Sequence, residues 1–476
     1  METLTRSDTS TRLAVFAWLW AFSVVLHLLY LANSYAAFSA FTADHVVHLA
    51  LGVAAVALLL QPRSLVLLAA VCVLTPVTAW FEAPRLGNHW LLASLVALVL
   101  LGAMAIGVLV RPRDVSARIL RDGLPSARLL FLVVYGFCAL AKFNTSFIDP
   151  TVSCANVFAD EVANSLGLSR FSSIGSSWWM YAIPWGVMAI ESSVVVLLIV
   201  ARTRVLGVIL ALLFHGLIAL DTAHAFSDFS SVITALVILF LPETYFAMLS
   251  DRLQTRSVRV GVVLVAAISA GLLVWQSTDT AFRSVEVIGD LRDWMWWIVW
   301  GIVAIVTVTW AVRTRTLRSD VTLVPQDRWL LMGPAAAFLI GCGPYLEIRT
   351  GTSWNMYANL QTANGSSNSF LIPATAALSD AQSDPVRILS SSDSGLRQYV
   401  DTGDGLPLIN LRGYTSTQPD ASLTYERNGE VITVEHTRRD SVLGAPLPWW
   451  EQKVFVFRSL DTSAPIECQN TMLPAR

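Results

Sequence analysis

Long apolar stretches separated by short polar segments fill the first 345 residues of the chain. A helix of about 20 residues crosses the roughly 30 Å of hydrocarbon in a bilayer, and the apolar stretches have about this length. The pattern predicts eleven membrane-spanning helices, at residues 13–32, 44–61, 64–81, 88–110, 127–145, 178–201, 205–220, 230–249, 258–276, 293–313 and 327–345. The second, third and seventh stretches are short or closely linked, so the predicted number of spans ranges from nine to eleven.

The hydrophobic pattern changes at about residue 346. Short segments with alternating apolar and polar side chains follow, and charged turns or turns rich in Gly and Ser separate them. The period of two that is typical of β-strands occurs at residues 423–425, 431–434 and 454–457. We therefore predict an all-α, polytopic membrane bundle with a C-terminal β-rich domain. The predicted units are residues 1–250, residues 251–345 with additional spans, and residues 346–476.

Arginine residues in the short loops predict the orientation of the spans, because cytoplasmic loops carry an excess of Lys and Arg. If the N-terminus is cytoplasmic, the loops on that side contain Arg6, Arg12, Arg63, Arg111, Arg113, Arg118, Arg121, Arg202, Arg204, Arg252, Arg256, Arg259, Arg313, Arg315 and Arg318. The opposite loops contain Arg85, Arg170, Arg283 and Arg292. The prediction is a multi-pass protein of the plasma membrane with an uncleaved first span and an extracytoplasmic C-terminal domain.

The composition agrees with this prediction and excludes other classes. Hydrophobic residues make up 55% of the chain and charged residues 14%, which is outside the range of soluble proteins. A net charge of -2 provides no positive field for a nucleic acid, so we expect no such partner. The five cysteines show neither a CxxC motif nor zinc-ligand spacing, and no metal is predicted. Cys154 and Cys468 both lie in predicted extracytoplasmic segments, where they can form a disulfide.

An ionisable residue within a span costs several kcal/mol unless it faces a cavity or a partner, and four such residues in the predicted spans are candidates for a function. Lys142 lies near the outer end of the fifth span, in a chain whose other basic residues are almost all arginine. His89 begins the fourth span, and Glu191 and His215 lie in the middle of the sixth and seventh spans. With the predicted orientation, the four side chains can line one cavity that opens outward.

This set of side chains favours acid–base chemistry, and structural interpretations stay open beside it. The neutral amine of a desolvated lysine is a competent base, although a nearby carboxylate opposes the loss of its charge. Alternatively, Lys142 extends towards the headgroups and Glu191 contributes to helix packing. His89 and His215 can equally be buried structural histidines.

Two further groups of polar residues are weaker candidates. His45 and His48 can share a face at the start of the second span, but no third metal ligand has a suitable spacing. Asp221, His224 and Asp228 belong to the predicted loop after the seventh span. This loop either forms the rim of the cavity or is simply solvated.

The motifs around the candidate residues resemble a known family. They are residues 130–143 with Lys142, Asn88-His89, Phe214-His215 and residues 226–242. These motifs are similar to the vitamin K-dependent γ-glutamyl carboxylase superfamily, whose bacterial members carry the horizontally transferred transmembrane (HTTM) domain. The resemblance covers roughly residues 12–250, and its motifs occur in the family's order. Residues 343–350, 353–360 and 367–368 are also similar to a segment of larger bacterial relatives.

The resemblance implies a specific chemistry on the non-cytoplasmic side of the membrane. The lysine that matches Lys142 deprotonates vitamin K hydroquinone, oxygen then yields a strong base, and that base abstracts a glutamate γ-proton before carbon dioxide adds. His89 matches the histidine that assists this reaction, Glu191 matches an acidic residue, and His215 belongs to a Phe-His pair. The implied cofactor is vitamin K hydroquinone or another quinol, and the implied partner is a secreted peptide or protein.

The chain departs from the family in two respects, and two functions follow as hypotheses. Ala141-Lys142 replaces a Lys-Lys pair, and no large propeptide-binding domain is recognisable. The first hypothesis is an enzyme that modifies a peptide or protein, for example a quinol-dependent carboxylase, which belongs to the lyases. The second is a non-catalytic assembly, export or maturation factor that binds its partner through the outer β-rich domain. A transporter is disfavoured because the chain shows neither an inverted repeat nor paired spans broken by Gly or Pro.

Overall fold

The computed structural model describes residues 6–31, 42–110, 115–168, 178–221, 224, 226–253, 255–276, 284–417, 420–461 and 465–468. Helices dominate the chain up to residue 342, and a small sheet region follows. The helices are α1 (Arg6–Tyr30), α2 (Ala43–Leu60), α3 (Leu65–Glu82), α4 (Asn88–Val110), α5 (Val115–Ala141), α6 (Cys154–Ser165), α7 (Trp178–Ile199), α8 (Arg204–Ile218), α9 (Phe226–Val237), α10 (Glu243–Leu253), α11 (Arg256–Gln276), α12 (Ser284–Thr314), α13 (Met332–Cys342), α14 (Ser394–Thr402), α15 (Leu408–Thr415) and α16 (Glu451–Val454).

Within the described residues, seven helices are long and apolar enough to cross a membrane. Their apolar parts are Thr11–Tyr30, Ala43–Leu60, Leu65–Glu82, Asn88–Val110, Val115–Ala141, Trp178–Ile199 and Val287–Thr314. Shorter apolar helices cover Arg204–Ile218, Phe226–Phe240 and Arg328–Cys342, so helix length does not confirm eleven spans. Val66 and Leu109 are 79% and 84% exposed on the outer surface of the bundle. Large exposed apolar surfaces of this kind are typical of contact with lipid.

The predicted span at residues 230–249 is wrong, because two helices share these residues. Helix α9 continues as a 3-10 turn over Ile238–Phe240, and α10 begins at Glu243. Leu241 between them has extended backbone angles, with φ −84° and ψ 154°. The following residue, Pro242, has no backbone N–H and disfavours a helical conformation at the residue before it. The proline therefore ends the apolar helix early.

Helix α1 lies in the middle of the bundle, and 89% of its apolar window is buried. Phe16, Trp18, Trp20 and Phe22 are all essentially inaccessible. A helix that is apolar on every side is expected in such a buried position. The polar residue His27 in its last turn is consequently surrounded by other helices.

The C-terminal region contains a two-stranded and a four-stranded antiparallel sheet. The strands are β1 (Thr362–Ala363), β2 (Ser366–Ser367), β3 (Pro385–Ser391), β4 (Gly405–Pro407), β5 (Leu423–Arg427) and β6 (Glu430–Val434), and the larger sheet has the order β4-β3-β5-β6. The predicted strands at residues 423–425 and 431–434 are confirmed as parts of β5 and β6. Helices α14 and α15 pack with the sheet around Val386, Leu411 and Tyr425, which makes this region a mixed α/β unit.

The predicted strand at residues 454–457 is wrong. Val454 ends the short helix α16, and no described strand includes the residues that follow it. The carbonyl of Val456 instead accepts hydrogen bonds from the backbone N–H groups of Thr350 and Gly351, at 3.0 and 2.8 Å. Both hydrogen bonds end on one carbonyl, whereas paired β-strands use successive carbonyl and N–H groups, so these residues do not form a β-ladder.

Residues 343–372, here called the docking segment, attach the C-terminal region to the helices. Thr352 Oγ1 donates to the carbonyl of Leu86 at 3.0 Å, and the N–H of Phe370 donates to the carbonyl of Phe143 at 2.9 Å. Six of its non-glycine residues have positive φ, namely Glu347, Thr352, Trp354, Tyr357, Asn359 and Asn364. Such conformations persist where the surrounding contacts determine them. The tertiary contacts, more than local preference, therefore give this segment its shape.

A disulfide between Cys154 and Cys468 adds a covalent link between the helices and the C-terminal region. The two Cα atoms are 4.9 Å apart, although the residues are separated by 314 positions in the sequence. The structure therefore contains the disulfide that the sequence left open.

Replacement of Cys154 with serine should lower the free energy of unfolding by about 2–4 kcal/mol, because the disulfide restricts the unfolded chain. Detergent-solubilised protein can be compared with the variant by thermal unfolding, and the mass under non-reducing conditions reports the bond itself. Cys342→Ser is a matched control, since Cys342 is a free thiol in this structure. Free thiols at both Cys154 and Cys468 in the wild-type protein would contradict the prediction.

Candidate functional site

One cavity of about 300 Å³ brings the four predicted site residues together. His89 comes from the start of α4, Lys142 from the C-terminal end of α5, Glu191 from α7 and His215 from the last turn of α8. The prediction that these side chains line a single cavity is confirmed. Four helices that are far apart in the sequence therefore form one site.

Lys142 and Glu191 form a buried ion pair in the wall of this cavity. Lys142 Nζ lies 2.8 Å from Glu191 Oε2, and the two side chains are 8% and 10% exposed. The ammonium also donates to the carbonyl of Cys138 at 3.3 Å and lies 5.9 Å from the centre of the Phe147 ring. The opposite charges stabilise each other in surroundings that hold little water. Glu191 is therefore the nearby carboxylate that opposes loss of the positive charge of Lys142.

Helix α5 presents three polar side chains to the cavity through its periodicity. Tyr135, Cys138 and Lys142 are spaced at i, i+3 and i+7, so they lie on one face of the helix. The Tyr135 hydroxyl lies 3.3 Å from His215 Nε2, and Ser230 Oγ lies 3.3 Å from His215 Nδ1. The imidazole of His215 is therefore positioned by two hydroxyl groups and does not contact Lys142 through a hydrogen bond that the structure describes. Helical spacing from Lys142 could have identified Tyr135 from the sequence.

His89 is held by an aspartate that the sequence analysis assigned to a loop. Its Nε2 lies 2.9 Å from Asp228 Oδ2, and the Asp228 side chain is only 2% exposed. Asp228 belongs to the first turn of α9 and is buried, so its predicted position in a solvated loop is wrong. Helix α9 begins at Phe226, earlier than the predicted span at residue 230, because Phe226 and Phe229 both pack inwards against the cavity.

The docking segment completes the cavity with residues that the sequence analysis did not select. Met356 and Tyr357 line it together with Phe158 of α6. Tyr357 packs edge-on against Phe158, with ring centres 4.5 Å apart, and Phe158 lies 4.9 Å from the His224 ring. His224 itself contacts Asp221 at 2.8 Å. The aromatic side chains give the site a largely apolar wall around a few polar groups, which is typical of small-molecule sites.

The N-terminus of α4 is hydrogen-bonded directly to the docking segment. Asn88 Oδ1 accepts a hydrogen bond from the backbone N–H of Trp354 at 3.0 Å, and the Trp354 indole donates to the carbonyl of Ala337 at 2.7 Å. Trp354 is fully buried. The docking segment therefore positions Asn88 and, through it, the neighbouring His89.

His45 and His48, which can share a helix face, have different partners. His45 Nδ1 lies 2.8 Å from Thr42 Oγ1 at the start of α2, whereas His48 Nε2 lies 3.3 Å from Glu82 Oε1 of α3. The two imidazoles therefore do not form a common site.

Comparison of the chain with protein-family models, with curated proteins and with solved structures finds no match.

Proposed function

We propose that this protein is a membrane enzyme that uses a quinol in the cavity to modify a secreted peptide or protein. The observation that carries the proposal is the Lys142–Glu191 ion pair in the wall of an apolar, aromatic cavity. An aromatic ring bearing hydroxyl groups fits such a wall, because the ring contacts apolar side chains while a hydroxyl reaches the polar pair. The motif resemblance to the vitamin K-dependent carboxylase superfamily supports the same substrate class, and glutamate carboxylation is the reaction that it suggests.

Deprotonation of a quinol needs Lys142 first as a neutral amine and afterwards as an ammonium, and the contact with Glu191 allows both. Lys142 transfers a proton to Glu191, which leaves a neutral amine beside a neutral carboxyl group. The amine then accepts a hydroxyl proton from the bound quinol and becomes an ammonium again. The Lys142 ammonium would then lie beside the bound quinol and would stabilise negative charge that develops there. When bound, the quinol supplies the reducing equivalents that activate oxygen for the later steps.

His89 contributes to the proposal through its position. It lies at the same cavity and is held in place by Asp228, so it can contact a ligand that also reaches Lys142. The paired Asp228 carboxylate limits the rotation of the imidazole, and such fixed groups accelerate reactions by lowering the cost of reorganisation.

We further propose that the cavity and the C-terminal region face the extracytoplasmic side, with the N-terminus in the cytoplasm. The distribution of arginine residues supports this orientation. The Cys154–Cys468 disulfide supports it independently, because disulfides persist mainly in oxidising compartments. A secreted peptide would then reach the site without entering the cytoplasm.

Lys142→Ala and Lys142→Arg should both reduce quinol-dependent modification of a co-expressed secreted partner by about 100- to 10,000-fold, the usual contribution of a general base. Mass spectrometry of the partner, which detects an added carboxyl group, provides the measurement. Lys453→Arg is the matched control, since it replaces the other lysine of the chain outside the cavity. Unchanged modification in both Lys142 variants would eliminate Lys142 as the base. A partner that is bound but never modified would instead favour a non-catalytic maturation factor.

A further inference from the structure

A cluster of buried histidines and carboxylates adjoins the cavity through His89. It consists of His27 of α1, His48 of α2, Glu82 of α3, His89 of α4 and Asp228 of α9, and each side chain is at most 11% exposed. Two buried carboxylates are costly unless positive charge or hydrogen bonds balance them. Five different helices contribute one polar group each to this small volume, so the cluster requires an explanation beyond helix packing.

His27 is the central residue of the cluster. Its Nδ1 lies 2.8 Å from Asp228 Oδ2, and its Nε2 lies 3.3 Å from Glu82 Oε1. A neutral imidazole has one N–H donor and one acceptor, so it cannot donate to carboxylates on both sides. Either His27 is a buried imidazolium, or a cation lies between one ring nitrogen and its carboxylate. Stacking on Trp90, with ring centres 3.7 Å apart, fixes the plane of the ring.

The arrangement around Asp228 matches a set of metal ligands. The ligand atoms of His27, His89 and Asp228 all lie within 4.8 Å of one another. Asp228 Oδ1 is buried and has no hydrogen-bond partner among the residues that the structure describes. This carboxylate oxygen is therefore available to a ligand that the described residues do not supply.

We infer that His27 Nδ1, His89 Nε2 and the Asp228 carboxylate bind one divalent transition-metal ion. Two histidines and one carboxylate are a ligand set that holds Fe²⁺ and related ions with open positions. The two nitrogens lie 2.8 and 2.9 Å from Asp228 Oδ2. Atoms at that separation, each about 2.1 Å from an ion, subtend roughly a right angle at it, which suits octahedral coordination.

The remaining residues of the cluster act as supports for these ligands. Glu82 accepts the Nε2–H of His27, which orients the ring and leaves Nδ1 free for the metal. His48 in turn lies 3.3 Å from Glu82 and 2.8 Å from Asp44 Oδ1. If His27 and His89 bind as neutral imidazoles, the two positive charges of the ion match the negative charges of Asp228 and Glu82. The ion thus accounts for the two-sided contacts of His27, and bidentate binding through Oδ1 and Oδ2 of Asp228 would also give the free oxygen Oδ1 a partner.

This inference goes beyond the proposed function and does not depend on it. His89 belongs to both the metal set and the cavity wall, so the ion would lie beside the ligand cavity. Three protein ligands leave coordination positions for water or an oxygen-containing ligand. His89 would then influence the cavity through the ion, and not as a free imidazole.

Co²⁺ titration of the full-length protein without a histidine tag, after treatment with a chelator, tests the site. We expect one Co²⁺ per chain, detected by elemental analysis and by the visible absorption of protein-bound Co²⁺. Glu82→Gln should weaken binding about 10- to 100-fold, as expected for a supporting carboxylate. Asp228→Asn and His27→Ala should weaken it further, because each removes a ligand.

His436→Asn is the matched control, because His436 is a surface histidine that is also paired with an aspartate, Asp420 at 2.8 Å. This variant should bind Co²⁺ like the wild-type protein. The wild-type titration decides the question even if a ligand variant fails to fold: absence of stoichiometric binding would overturn the inference. Equal binding by wild type and Asp228→Asn would also overturn it, since the ion would then lie elsewhere.

Discussion

Lys142→Met should lower the free energy of unfolding by about 3–5 kcal/mol, because it leaves the Glu191 carboxylate buried without its partner. Glu191→Leu should cause a loss of the same order for the complementary reason, since it strands the ammonium. SDS-induced unfolding of the purified protein in mixed micelles measures both effects. The expected values follow from the 2.8 Å contact between two side chains that are about nine-tenths buried.

The double variant Lys142→Met/Glu191→Leu separates stability from activity. Apolar residues of similar volume often replace a buried ion pair without loss, so the double variant should recover most of the stability. It should not recover the modification activity, because neither a base nor a stabilising cation remains. Arg318→Met is a control in which an exposed pair with Asp320 is broken, and it should change little. Single variants that unfold like the wild type would mean that the pair is not buried as described.

Trp354→Ala should destabilise the protein by about 3–5 kcal/mol, the usual cost of a cavity left by a large aromatic residue. Trp354 is fully buried and its indole N–H binds the carbonyl of Ala337. Its loss should also loosen the docking segment, which positions Asn88 and contributes Tyr357 to the cavity. Hydrogen exchange at residues 353–360 should therefore accelerate more than exchange elsewhere in the C-terminal region.

Trp329→Ala is the matched control for this variant, because Trp329 is 73% exposed. It should leave both stability and hydrogen exchange nearly unchanged. If Trp354→Ala exchanges like the control, the docking segment is held by its other contacts, and the role given to Trp354 is wrong.

The sequence identified the four residues of the proposed site, but it did not identify the residues that contact them. Lys142, Glu191, His89 and His215 could be selected because an ionisable residue in an apolar stretch is costly and therefore informative. Asp228 could not be selected in the same way, since its neighbours resemble a polar loop. Its partners His27 and His89 are 201 and 139 positions away, and no local pattern reports contacts at such distances.

Among the helices and strands, too, some were predicted from the sequence and others were not. Apolar length predicted the seven membrane-length helices but gave more spans than helix length confirms, and the period of two predicted β5 and β6. The span at residues 230–249 failed because Pro242 interrupts a stretch that remains apolar on both sides. The strand at residues 454–457 failed because its backbone groups bind a distant turn.

Sequence alone determined that the chain contains apolar helices long enough to cross a membrane, that its C-terminal region differs, and which polar residues in apolar stretches require a partner. These properties depend on side-chain chemistry along short stretches, which hydrophobic periodicity reports directly. Only the tertiary structure decided that Glu191 pairs with Lys142, that Asp228 joins His27 and His89, and that the docking segment closes the cavity. Those contacts arise from the packing of helices against one another, and a local pattern does not specify which helices become neighbours.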